Sequence, residues 1–235
     1  KTTGEDYTFT RQDSPYPVLG DIVVPAGINV VFYDADQTVA KQAASGLPAS
    51  PAKVSVAQDY ADFNNCELII ESVVETLPVK KIVLEKIEAA IPTETLIASN
   101  TSAIPIEKLA ATLKHPERFC GIHFCHPELM SLVEVIGGPR STETTIAAAV
   151  RFVQQIEKMP IAMNDSPGFV VNRLLAAMLN QSIVLFTEGV EIPRIDEAMR
   201  EFGFLGGPFE IIDVIGVDTC MYAGRTMWES GLDCV

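Results

Sequence analysis

From residue 28 onward the apolar positions keep two different periods in turn. Short runs dense in β-branched and aliphatic residues, "INVVFYD", "ELIIESV", "TLIASN", "FCGIHF", "LVEVIG" and "MPIAMN", read as strands. Between them "LPVKKIVLEKIEAAI" and "STETTIAAAVRFVQQIEK" repeat their apolar residues at helical spacing. Strands that alternate with helices predict an α/β domain, Rossmann-like, with a mostly parallel sheet and crossover helices, over residues 16–165.

Beyond residue 165 the period is helical throughout and predicts an all-helical C-terminal domain over residues 166–235. In "DSPGFVVNRLLAAMLNQSIVLFTEG" Ser166 is positioned to cap a helix with Pro167 in its first turn, and Gly189 to end it. A second helix, "PRIDEAMREFG", puts Ile195, Ala198, Met199 and Phe202 on one face and stops at Gly203; a third starts near "GPFEIIDVIGVDT". Phe169, Leu174, Leu175, Met178, Ile183, Leu185 and Phe186 are more apolar surface than three helices cover. A partner subunit, a continuation of an apparently truncated domain, or both are expected.

Composition narrows the partners. With 48% hydrophobic and 20% charged residues the chain is a folded globular protein. A formal charge of −14 without a basic block argues against nucleic acid or an anionic membrane as the main partner. No apolar run reaches the roughly 18 residues of a membrane span, and "KTTGEDYTFTRQDSP", residues 1–15, reads as an arm or linker without a signal peptide's apolar core. The cysteines, Cys66, Cys120, Cys125, Cys220 and Cys234, are scattered and never form C-x-x-C, which supports neither a disulfide framework nor a metal site. A reducing, cytoplasmic setting is expected.

Three stretches carry candidate chemistry. "INVVFYD" ends in Asp34, placed as the acid that receives an adenosine ribose after the second strand of a dinucleotide fold, and "PVLG" before it reads as a first strand reaching Gly20. "ASNTSAI" puts Asn100, Thr101 and Ser102 at a strand's C-terminal end, where open parallel sheets bind ligands; an ordinary Ser/Asn turn explains it equally well. In "GIHFCHPELMSLVEVIGG" Glu134 stands between Val133 and Val135, where an unpaired carboxylate is costly to bury. His123 is its natural partner, either as a base oriented by a carboxylate or as a purely structural pair. His126, before Pro127, and His115, in a charged loop, read as loop residues.

Taken together, "IIESVVETLPVKK", "ASNTSAIPI", "GIHFCHP", "LVEVIGG", "DSPGFVVNRLL" and "GGPFEIIDVIGVDT" resemble the 3-hydroxyacyl-CoA dehydrogenases of fatty-acid β-oxidation, in that family's order from about residue 28 to 223. The resemblance implies an NAD-binding Rossmann domain, a helical domain, an acyl-CoA substrate, and oxidation of L-3-hydroxyacyl-CoA to 3-ketoacyl-CoA. By motif, His123 resembles the general base and Glu134 its carboxylate partner. Ser102 and Asn172 resemble the side chains that hold the reacting oxygen. Gly20 and Asp34 resemble cofactor-binding residues, and Glu75, Lys80 and Asn100 match positions on the nicotinamide side. The absence of Arg directly after Asp34 favours NAD over NADP. The resemblance further implies a homodimer or a module of a larger β-oxidation protein.

The chain departs from that pattern in three places. Many members read His-Phe-Phe-Asn-Pro where this chain has "HFCHP", and the loop from His126 to Glu134 is about one residue short. The glycine loop is the third: Ile22 and Pro25 stand where G-x-G-x-x-G needs its second and third glycines, and six residues separate Gly20 from Gly27. A parallel crossover needs about a dozen residues or more, so "PVLG" and "INVVFYD" cannot be neighbouring parallel strands joined by this segment. The region after Asp34 is also shorter than the family's. Two readings follow: an active dehydrogenase, or a catalytically silent remnant or binding module that has lost NAD.

Overall fold

The computed structural model describes residues 23–47, 50–125 and 131–231. Two compact units divide them: residues up to Thr101 with Ile106–Asp165, and Ser102–Pro105 with the chain from Ser166 on.

In the first unit β1 (Val30–Phe32) and β2 (Val54–Val56) pair in parallel, connected through helix α1 (Gln37–Ser45). Asp36 caps α1 by accepting from the Thr38 amide at 2.8 Å. The stretch after Asp34 is short, as its sequence suggested, yet it completes a crossover and a strand that the periodicity did not reveal.

The second sheet is built from β3 (Leu68–Glu71), β4 (Leu96–Ser99), β5 (Phe119–Phe124), β6 (Leu132–Gly137) and β7 (Met159–Asn164), side by side in that order. All neighbours are parallel except β5 and β6, which run antiparallel. Helices α2 (Leu77–Ala90), α3 (Ile106–Ala110) and α4 (Glu143–Gln155) connect the strands. Every residue of β4 and β5 is buried, as expected of central strands covered on both faces. Leu96, Ala98, Cys120, Ile122, Val133 and Val135 form the core against Ala149 and Val153 of α4.

Among the described residues the β1–β2 pair is not hydrogen-bonded to the five-stranded sheet, although Val30 packs on the same core as Leu68 and Ile70. In a doubly wound sheet the first strand of the chain sits between these two pieces. The sequence's candidate for that strand, "PVLG" with Gly20, lies outside the described residues, as does His126.

The second unit is helical: α5 (Val171–Thr187), α6 (Ile192–Phe202), α7 (Pro208–Ile215) and α8 (Val217–Glu229). Its first helix starts later than the sequence suggested, and Ser166 is not its cap. Gly168 (φ 71°) and Phe169 (φ 51°) take left-handed backbone, and the Phe169 amide closes a turn onto the Ser166 carbonyl at 3.0 Å. A Cβ at Gly168 would stand 2.2 Å from Met227 Sδ, so this turn accepts only glycine there. Gly203 ends α6 in the left-handed region at φ 115°, as read from the sequence. The expected third helix is two, broken at Gly216. Leu174, Phe186, Met221 and Trp228 remain exposed on this unit. Among the described residues no helix is long and apolar enough to cross a membrane.

Candidate active site

The antiparallel register of β5 and β6 sets His123 directly opposite Glu134. Cross-strand partners on one face approach closely, and His123 Nδ1 meets Glu134 Oε2 at 2.7 Å. Both are sealed from water, His123 at 4% exposure and Glu134 at 0%. Burial inside the strand "LVEVIG" makes a partner obligatory for the carboxylate, and the imidazole is that partner. Cys125, two residues past His123 and half-buried, places Sγ 3.7 Å from both His123 Nδ1 and Glu134 Oε2. Burial and then the charge of Glu134 push its thiol pKa up.

A second polar cluster lies where β3 gives way to α2. Lys80, 1% exposed, donates to Glu71 Oε1 at 2.9 Å and to the Val73 carbonyl at 2.9 Å, and stands 3.3 Å from Glu75 Oε2. Ser99 Oγ donates to Glu71 Oε2 at 2.7 Å, and Thr101 Oγ1 to Glu75 Oε1 at 2.5 Å. Glu75, partly exposed, and the buried Lys80 are therefore part of a network tying β3 to β4. Glu71 and Ser99 are the members that sequence reasoning passed over, while Thr101 was noted only as part of the "ASNTSAI" strand end. The signal for Glu71 was present: a carboxylate closing the apolar run "LIIE".

Asn100 continues the network along the strand ends. Its Nδ2 donates to Ser72 Oγ at 2.9 Å and its Oδ1 accepts from the Phe124 amide at 3.1 Å, which links β3, β4 and β5. Asp34 follows β1, and its Oδ1 accepts the Asp36 amide at 2.8 Å. In the helical unit Asn172 Nδ2 donates to the Ser102 carbonyl at 2.6 Å.

These residues fit the two ends of a dinucleotide better than its middle. A carboxylate after β1 suits a ribose, and the polar groups at the ends of β3, β4 and β5 suit a nicotinamide and its ribose. Among the described residues no glycine-rich turn leads from a first strand into a helix N-terminus, the element that ordinarily receives the diphosphate.

A Rossmann-like unit of this kind joined to an all-helical unit defines a class, the NAD-binding oxidoreductases with a helical C-terminal domain. Residues 48–166 match the profile described as 3-hydroxyacyl-CoA dehydrogenase, NAD binding domain, and residues 168–233 match 3-hydroxyacyl-CoA dehydrogenase, C-terminal domain. The chain belongs to the 3-hydroxyacyl-CoA dehydrogenase family. It is 40% identical over 221 residues to the fatty acid oxidation complex subunit alpha of Pseudomonas aeruginosa, covering 91% of this chain and 31% of that protein. The chain thus spans about a third of the length of the curated relatives it matches. Among solved structures it superposes on (S)-3-hydroxybutyryl-CoA dehydrogenase from Ralstonia eutropha with a TM-score of 0.85 and 30% identity, covering 92% of this chain and 83% of the other. Escherichia coli 3-hydroxybutyryl-CoA dehydrogenase gives 0.83 and 28% identity, covering 91% and 50%.

Proposed function

We propose that this chain carries out the NAD-dependent oxidation of L-3-hydroxyacyl-CoA to 3-ketoacyl-CoA, with His123 as general base. The observation that carries the reading is the buried His123–Glu134 pair at 2.7 Å. With Nδ1 engaged by the carboxylate, the ring turns Nε2 to the chemistry. Nε2 takes the proton of the C3 hydroxyl, and Glu134 stabilises the imidazolium that forms. Bound NAD supplies the hydride acceptor for C3. By their match to the family's motifs, Ser102 and Asn172 are the side chains assigned to the C3 oxygen. Asp34, Glu75, Lys80 and Asn100 hold the cofactor's ribose and nicotinamide ends.

The exposed apolar side chains of α5 and α8 fit a homodimer or a place inside a larger β-oxidation protein in the cytoplasm. His123→Gln tests the base: turnover of acetoacetyl-CoA with NADH falls by about 10²–10⁴-fold while NAD affinity by calorimetry stays within about twofold. Turnover retained by that variant refutes the assignment.

One observation favours a second reading, a silent remnant or binding module. Gly20 is followed by Ile22 and Pro25 at the other two glycine positions. Calorimetry on the unmodified chain decides between the readings, because a chain that binds no NAD is the silent module.

A further inference from the structure

The cysteine spacing argued against a metal site, since no C-x-x-C pair exists. The fold assembles ligands that spacing cannot reveal. Cys125, in the bend directly after β5, brings its sulfur to 3.7 Å from His123 Nδ1, and the antiparallel register adds Glu134 from across the ladder. One nitrogen, one sulfur and one carboxylate oxygen then lie within 4.8 Å of one another.

We propose that His123 Nδ1, Cys125 Sγ and Glu134 Oε2 form a site for a divalent ion of the zinc class, and that its occupation inhibits this chain. The ligand types are those zinc prefers, and three protein ligands with one open position are the usual form of an accessible site. Bonds of about 2.0–2.3 Å in a tetrahedron separate neighbouring ligand atoms by about 3.3–3.7 Å. The two separations to sulfur are 3.7 Å already. The remaining one, 2.7 Å, is a hydrogen bond that the ion replaces, and it must open by less than about 1 Å. Cys125 is the one half-buried member of the three.

Binding balances as follows. The thiol releases its proton to water and sulfur donates as thiolate. Glu134 donates as carboxylate. The imidazole stays neutral; its single proton leaves Nδ1, whose lone pair now binds the ion, and resides on Nε2. A protonated Nε2 has no lone pair for the C3 hydroxyl proton, so the occupied site has no base. The inhibition, though not the binding, rests on the dehydrogenase reading. Cys125 is the deciding residue, since Phe, found there in many sequences of the motif, offers no ligand.

The test is a Co²⁺ titration of the chelator-stripped full chain. One equivalent is expected to bring up a thiolate-to-Co²⁺ charge-transfer band in the near ultraviolet, and Zn²⁺ to abolish it. Cys125→Ser should lose the band and weaken Zn²⁺ binding by about 100-fold or more; Cys125→Ala serves the same purpose should the serine variant misfold. Absence of the band, or its persistence in both variants through another cysteine, overturns the site. Zn²⁺ should also stop acetoacetyl-CoA turnover at one equivalent and a chelator restore it. Stripped protein that shows turnover without any band sinks the metal site and leaves the dehydrogenase reading standing. Stripped protein that shows the Cys125-dependent band without turnover sustains the site and overturns both its inhibitory role and the enzyme reading.

Discussion

Replacing Lys80 by Met removes a charge from the interior while keeping an unbranched stem of similar length. The side chain is 1% exposed, and its closest carboxylate, Glu71, is fully buried. Deleting one partner of a buried ion pair costs about 3–5 kcal/mol, because the other charge is left without compensation. Two features place Lys80→Met at the lower end of that range. Glu71 keeps the Val73 amide at 2.6 Å and the Ser99 hydroxyl at 2.7 Å as donors. Glu75 keeps Thr101 and is 26% exposed, so water reaches it. Donors to a charged group are worth about 1.5–3 kcal/mol each, and since both are already in place, the expected loss is about 3 kcal/mol.

Urea unfolding followed by far-ultraviolet circular dichroism measures that loss. The only tryptophan, Trp228, sits in α8, so its emission reports on the helical unit. Adding Glu71→Gln to Lys80→Met should recover most of the stability, since replacing both members of a buried pair is often close to neutral. A loss below about 1 kcal/mol, or strictly additive single variants, would refute the reasoning, for the pair would then behave as an exposed one.

Two further outcomes are expected. A Cβ at Gly207 would lie 2.2 Å from Asp196 Cβ, and Asp196 cannot retreat without releasing the Phe209 amide that it accepts at 2.9 Å. Gly207→Ala should therefore cost about 2 kcal/mol or more from overpacking and a lost cap, read from the Trp228 unfolding transition; a change within about 0.5 kcal/mol contradicts the packing argument. Burial raises the pKa of Asp165, whose Oδ1 is buried without a hydrogen-bond partner among the described residues. The folded state therefore holds the proton more tightly, a contribution present at acid pH and lost as pH rises through the folded pKa. Asp165→Asn, which still accepts the Glu107 amide, should stabilise the chain at pH 7, with the advantage shrinking toward pH 4. An advantage that is constant with pH would assign it to something other than ionisation.

How far the fold could be read from the sequence depended on how local its causes are. The six apolar runs mark β1 and β3–β7, with fully buried residues throughout β4 and β5, whereas β7 was legible from its aliphatic run although most of its residues are exposed. Strand β2, as short as β1, escaped because its two valines flank Ser55 without the longer apolar run that surrounds β1 in "INVVFYD". The late start of α5 was not legible from Ser166 and Pro167, since the left-handed turn at Gly168 and Phe169 answers to Met227, nearly sixty residues away in sequence and packed against it only after folding. At the candidate site the cost of burying Glu134 was written in its valine neighbours. The network around Lys80 was not, because Glu71, Ser99 and Thr101 meet it only once β3 and β4 are aligned. Cys125 read as a mere departure from a motif until the register of β5 and β6 put sulfur beside the pair.

The proton-transfer pair and the cofactor's grip depend on different parts of the sheet. His123 and Glu134 require only β5, β6 and their register, all of which are intact. Recognition of a diphosphate ordinarily requires a glycine turn after the first strand and the amides of the helix behind it. The buried cation Lys80 is not placed to supply that charge. It already stands between Glu71 and Glu75, a cluster of one positive and two negative groups, in a chain of net charge −14. An added diphosphate would meet repulsion there and not attraction. On the proposed reading Asp34 and Asn100 take the ribose and nicotinamide ends, and the sequence's candidate for the diphosphate turn, at Gly20, lies outside the described residues. The His123–Glu134 pair does not by itself secure a cofactor, so NAD affinity and proton transfer are separate quantities to measure.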